Sequence, residues 1–252
     1  MLITDPLFYA AAIPAVLIAG ISKAGFGSGL GILSVPMIAL IVPAPQAAAI
    51  MLPILCAMDL AALWAYRGHW SRPNMKIILP GGLAGVILGA LTFRYVSDAG
   101  LKLLLGIVAL GFLAQRWLSA SSRPKATVPS AGQGYFWSGM AGYTSTLAHA
   151  GGPPISIYLL PQQMDKALLV GTTVVFFTFI NYVKVIPYTL LGLFDGQNLA
   201  TSTGLAPLGL LGIYCGVWLR KIVPEALFYR ICYAFLFVTG AKLLYDGASK
   251  LL

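Results

Sequence analysis

Apolar residues along this chain do not alternate with polar ones. They gather in runs near positions 7–23, 29–42, 46–66, 76–95, 101–118, 134–161, 167–188, 199–219 and 224–245. Unbroken runs of this length predict helices rather than strands, because a spanning strand would alternate. Most are long enough to cross a hydrocarbon core of roughly 30 Å.

Two of the runs are interrupted. In Ser22-Lys23-Ala24-Gly25-Phe26-Gly27-Ser28-Gly29-Leu30-Gly31, four glycines at every second position raise the cost of helix and predict a break. Gly142-Tyr143-Thr144-Ser145-Thr146-Leu147-Ala148-His149-Ala150-Gly151-Gly152-Pro153-Pro154 ends in two prolines that donate no backbone hydrogen bond, so a new helix is predicted to start there.

One polar, proline-bearing linker, 119–130, divides the chain almost in half. The halves align without gaps at an offset of 122, which pairs Gly29 with Gly151, Ser34 with Ser156, Asp59 with Asn181 and Gly82 with Gly204. Each half then reads as a broken segment followed by three spans. The expected organisation is a first repeat over 1–119 (broken segment 7–42), a cytoplasmic linker over 120–133 and a second repeat over 134–252 (broken segment 134–161).

Charge sharpens this picture. The 252 residues are 59% hydrophobic and 9% charged, with mean hydropathy +0.86, which excludes an ordinary soluble domain. Lipid is the expected surroundings. The net charge of +9 is scattered between apolar runs, without the basic and aromatic modules of nucleic-acid binders, so no nucleic-acid partner is expected. The start, Met1 to Pro6, lacks a positive n-region, and the first run is expected to be retained. Basic clusters at Arg67, Arg72 and Lys76, at Arg116, Arg123 and Lys125, and at Arg220, Lys221 and Arg230 are all cytoplasmic only if each broken segment enters and leaves on one side. The expectation is therefore an all-α membrane protein of two inverted repeats, each a broken-helix hairpin plus three transmembrane helices. If both broken segments instead crossed fully, eight spans in two parallel halves would result, with the third cluster outside.

Broken helices inside a bilayer are costly unless their backbone lines a cavity, so they mark the candidate binding site. Freed N–H groups near Gly29–Gly31 and at 151–155 favour an anion; packing of small residues is the competing explanation for the glycines. The candidate substrate-binding residues are Ser22, Lys23, Gly27, Ser28, Gly29, Gly31, Ser145, His149, Gly151, Gly152, Pro153, Ser156 and Tyr158. Asp59, alone among the seven acidic residues in the middle of an apolar run, suits proton coupling, pairing with Lys23 or a structural role. With Asn181 and Lys184 it forms the coupling or structural polar set. Lys184 lies close to Pro187 and reads as a snorkelling lysine.

Cys56, Cys215 and Cys232 sit inside apolar runs, without a CxxC pattern, and only two histidines occur, so neither a metal nor another cofactor is expected. HExxH, GxSxG and Walker A motifs are absent. Ser145 and His149, at i and i+4, are the one pairing suggestive of an intramembrane enzyme.

The stretch 21–36, around Lys23-Ala24-Gly25-Phe26-Gly27-Ser28-Gly29, resembles the first signature of the sulfite exporter TauE/SafE family, and Gly151-Gly152-Pro153-Pro154-Ile155-Ser156-Ile157-Tyr158 resembles its second. This resemblance implies a multi-pass inner-membrane permease for sulfite, small organosulfonates or related organic anions. The first signature commonly carries consecutive glycines where this chain has Ser28-Gly29-Leu30-Gly31, so the Ser28 hydroxyl is an alternative to backbone coordination there. A secondary transporter working by alternating access is the leading expectation; a passive anion channel and an intramembrane enzyme are the alternatives. The expected partners are a small anion, membrane lipid and a second copy in a homodimer.

Overall fold

The computed structural model describes residues 2–23, 31–119, 128–219, 222 and 224–251. Gly27, Ser28 and Gly29 lie outside these described residues. Ten α-helices are present among them: α1 (Pro6–Ile21), α2 (Ser34–Ala39), α3 (Ala44–Ala65), α4 (Arg72–Phe93), α5 (Asp98–Ser119), α6 (Ala131–Ala148), α7 (Gly152–Leu159), α8 (Lys166–Leu190), α9 (Gly196–Leu219) and α10 (Glu225–Ser249). No strand occurs among the described residues. The protein is an all-α membrane protein, and α3, α4, α5, α8, α9 and α10 are each long and apolar enough to cross a bilayer.

Several helices start earlier than the hydrophobic pattern predicts, because polar residues cap them. Ser71 accepts from the backbone N–H of Asn74 at the start of α4, with Pro73 in its first turn. Asp165 accepts from Ala167 N–H at the start of α8. Two of the remaining helices, α2 and α7, are too short to span. At 1.5 Å per residue, the six residues of α2 and eight of α7 reach roughly 9 and 12 Å.

Side-chain bonds fix which helix ends lie together. At one end, Ser71 N–H donates to Thr172 Oγ1 (2.9 Å), and the side-chain amides of Asn74 and Gln162 bond reciprocally (2.9 and 3.2 Å). The α3–α4 loop thus seats on the start of α8 and the segment following α7. At the other end, Ala44 N–H donates to Asp98 Oδ1 (2.8 Å), Gln46 Nε2 to Asn198 Oδ1 (3.1 Å) and Ile3 N–H to Thr201 Oγ1 (3.4 Å). The starts of α1, α3, α5 and α9 gather there.

Gly134, in the first turn of α6, lies against the Tyr158 ring of α7, whereas the far end of α6 reaches α3 near Ala48. In the first segment, α1 leaves the Ile3–Thr201 contact, passes Gly209 and Gly212, and brings Ile21 against Gly216. Helix pairings repeat when the halves are exchanged: α1 packs on α9 as α6 does on α4, α3 on α9 as α8 does on α4, and α5 on α10.

Glycine makes the closest of these approaches possible. A Cβ on Gly20 would lie 2.5 Å from the Gly209 carbonyl oxygen, and one on Gly85 would overlap the Gly139 carbonyl. Small residues permit such contact between membrane helices, where dispersion has to replace the hydrophobic drive. Most glycines outside the two breaks serve this packing.

Candidate functional site

The breaks put chemistry-bearing residues inside the bundle. α1 widens into a π-turn at Ser22 and Lys23, a distortion that places the lysine at the negative, C-terminal end of the helix. α6 ends at His149, whose backbone is left-handed (φ 51°) where a glycine would be the easier residue. Non-glycine residues hold this conformation where the surroundings over-determine them, commonly at functional sites.

A helix that stops inside the bundle leaves carbonyls needing partners. Here α8 supplies them. Lys184 Nζ donates to Ser145 O (3.0 Å) and Ser145 Oγ (3.0 Å), and lies 2.7 Å from His149 Nδ1. Tyr188 Oη donates to Thr146 O (2.7 Å). His149 Nε2 faces the Ala48 carbonyl at 2.9 Å, so this nitrogen carries the hydrogen that donates. Lys184 is fully buried and does not snorkel: a carbonyl, a hydroxyl and an imidazole at the end of α6 hold it inside.

On the first half, Lys23 forms an ion pair with Asp59, and Asn181 Nδ2 donates to the other carboxylate oxygen at 2.7 Å. Asp59 and Asn181, paired by the 122-residue offset, meet directly across the two halves. Asp59 is fully buried, while the Lys23 side chain retains 13% exposure.

Between these groups lies a cavity of about 70 Å³. Among the described residues its walls are Ala19, Ser22, Lys23, Gly31 and Ile32 from the first break, Ser145, His149 and Gly152 from the second, Leu55 from α3, and Thr173, Val174, Phe177 and Asn181 from α8. At the room one buried water needs, this holds on the order of five waters, the bulk of a small oxyanion.

Not every expected residue faces this space. Tyr158 packs in a separate apolar cluster with Met75, Ile78 and Ile155. Ser156 donates to Gly152 O (2.7 Å) within its own helix. Gly151 and Pro153 are buried behind the wall, where a Cβ on Gly151 would lie 2.6 Å from the Ala141 carbonyl. Of the N–H groups expected to receive an anion at the start of α7, Pro153 and Pro154 supply none and Ile155 is bonded to Gly151 O at 3.3 Å, which leaves Gly151 and Gly152.

Thr173 and Phe177 were not among the expected site residues. The signal was available: Thr173, Phe177, Asn181, Lys184 and Tyr188 recur at helical spacing and form one face of α8.

Fold and site together define a multi-pass membrane protein with a small cavity, lined by a lysine and a histidine, between two broken helices. The sequence matches the family described as Sulfite exporter TauE/SafE over residues 12–243, nearly the whole chain. The chain belongs to this family, whose members are membrane transporters and not enzymes. No curated protein and no solved structure matches it.

Proposed function

We propose that this protein is a secondary carrier that moves a small sulfur-containing anion, sulfite or an organosulfonate, or a related organic anion across a bacterial-type inner membrane. The observation that carries this reading is the cavity itself: it has oxyanion size, is walled by both broken segments and is lined by Lys23, Ser145, His149 and Gly152.

The two broken segments are re-entrant hairpins of an inverted repeat, one from each face, and the anion sits where their tips meet. Rocking of one repeat against the other exposes it to alternate sides. The end bearing Arg67, Arg72, Lys76 and Lys166 is cytoplasmic. With no ATP-binding motif in the sequence, uphill movement draws on the membrane potential or an ion gradient.

Counterflow in proteoliposomes tests the reading, with sulfite, sulfate, taurine, isethionate, sulfoacetate and acetate as internal anions. Saturable exchange of at least one sulfur oxyanion or sulfonate above protein-free liposomes is the expected result. Flux that neither saturates nor shows counterflow assigns a channel instead. Folded, inserted protein that exchanges none of these anions overturns the sulfur-anion reading.

A further inference from the structure

We infer that the cavity selects its anion by charge, preferring a monoanion over a dianion of the same size, with Lys184 as the specificity-determining residue. The inference rests on the carrier reading above and concerns the ionic form of the substrate.

It follows from counting charges in the interior. The ionisable groups at the site are Lys23, Asp59, His149 and Lys184. Ala24–Leu30, between the two arms of the first break, contains no ionisable side chain. Nearby Cys56, Tyr182 and Tyr188 bring no charge at neutral pH. Lys23 and Asp59 cancel. Lys184 faces Ser145 O, Ser145 Oγ and His149 Nδ1, none of them a carboxylate. The ammonium form of Lys184 makes all three contacts as a donor, and whether its shared proton sits on Nζ or on His149 Nδ1 that form carries one positive charge. In that form the site holds one uncompensated positive charge.

Lys184 does not line the cavity; Ser145 and His149 stand between, each bonded to its ammonium nitrogen. It acts as a fixed field rather than a ligand. One negative charge brings the loaded site to neutrality. A second would sit unpaired at low dielectric, which at interior separations corresponds to roughly a tenfold penalty or more. Anchoring the end of α6 is not sufficient reason for the lysine, because a neutral donor such as the Tyr188 hydroxyl does the same for Thr146 O.

Methanesulfonate and sulfate are tetrahedral anions of similar size that differ by one charge, and their counterflow in proteoliposomes containing the full-length protein reads the selectivity directly. Wild type is expected to exchange methanesulfonate at least about tenfold faster than sulfate. Asp59→Asn raises the site by one positive charge and shifts the ratio toward sulfate. Lys184→Gln keeps an N–H donor for Ser145 O but not the charge, and loses methanesulfonate exchange while remaining folded by thermal unfolding. A measurement on wild type alone is independent of variant folding: sulfite counterflow falls relative to methanesulfonate counterflow as pH rises and sulfite loses its last proton. Equal rates for the two probes, or sulfite exchange that rises as the dianion forms, overturn the charge inference and leave the carrier reading standing. Absence of exchange for sulfite and for both probes overturns both.

Discussion

The two halves each bring a lysine to the site and treat it differently. Lys23 meets a carboxylate, Asp59; Lys184 meets a carbonyl, a hydroxyl and an imidazole. The contrast traces to one pair of positions. Where the first half has Asp59, the offset of 122 places Asn181 in the second, and the two side chains touch at 2.7 Å. Lys23 itself is matched by Ser145 at that offset (145 − 23 = 122), the residue that receives Lys184. The two halves are thus electrically unlike near their contact, and the difference falls beside the cavity.

This contrast predicts different costs for removing the two lysines. Lys23→Met strands a fully buried carboxylate, and breaking such a pair costs about 3–5 kcal/mol. Replacing Lys23 and Asp59 together by Met and Leu recovers most of that loss, because the pair's desolvation disappears with its attraction. Lys184→Met leaves neutral acceptors short of a donor and costs less, about 1–3 kcal/mol. Thermal unfolding in detergent of the three variants checks this. If Lys184→Met proves the more damaging to stability, the two lysines do not differ as described.

Exchanging the partners sharpens the same point. Asp59→Asn with Asn181→Asp keeps one carboxylate at the contact and moves it to the other half. The double variant is expected to unfold within about 1 kcal/mol of wild type, whereas Asn181→Ala alone loses a hydrogen bond to a charged group, about 1.5–3 kcal/mol. A strictly additive cycle would mean that the two positions are not coupled.

Much of the fold was legible in the sequence, for a physical reason. Lipid demands continuous apolar helices, so run length locates the spans, and glycine clusters and paired prolines locate the breaks. The Lys23–Asp59 pair was legible as one of three readings of a lone intramembrane carboxylate. Lys184 was misread because one-dimensional position cannot show which face of α8 meets the end of α6. Its nearness to Pro187 suggested a helix end, but α8 continues through that proline to Leu190. The polar face of α8 was the overlooked clue. That Ser156 and Tyr158 would turn away from the cavity had no sequence signal, since both belong to the same motif as Gly152.

The close helix pairings offer a second way to compare the halves. Gly20→Ala on α1 and Gly85→Ala on α4 each force a methyl onto the carbonyl of the packed helix, where backbone cannot yield cheaply; each is expected to cost about 1–3 kcal/mol. Gly111→Ala on α5 meets nothing within 4 Å and is the control, expected to leave unfolding unchanged or slightly raised. A much smaller cost on one side would show that this half packs loosely enough to adjust.

The smallest effect on stability concerns His149, and it separates backbone from side chain. Its left-handed conformation is tolerated by asparagine, so His149→Asn keeps the end of α6 with little added strain. The variant loses the imidazole that bridges Ala48 O and Lys184, two bonds of 2.9 and 2.7 Å. The first half has no such bridge at its lysine, which is held by the carboxylate alone among the described residues. His149→Asn is therefore expected to lower stability by only about 1 kcal/mol. Anion exchange is expected to fall by roughly tenfold, because a displaced Lys184 charge no longer points at the cavity wall. His149→Gly removes the residual strain as well and should match the stability of His149→Asn with the same loss of exchange. Were the glycine variant to exchange anions at the wild-type rate, the imidazole would be a helix stop and nothing more, and the Lys184 charge would have to reach the anion without it.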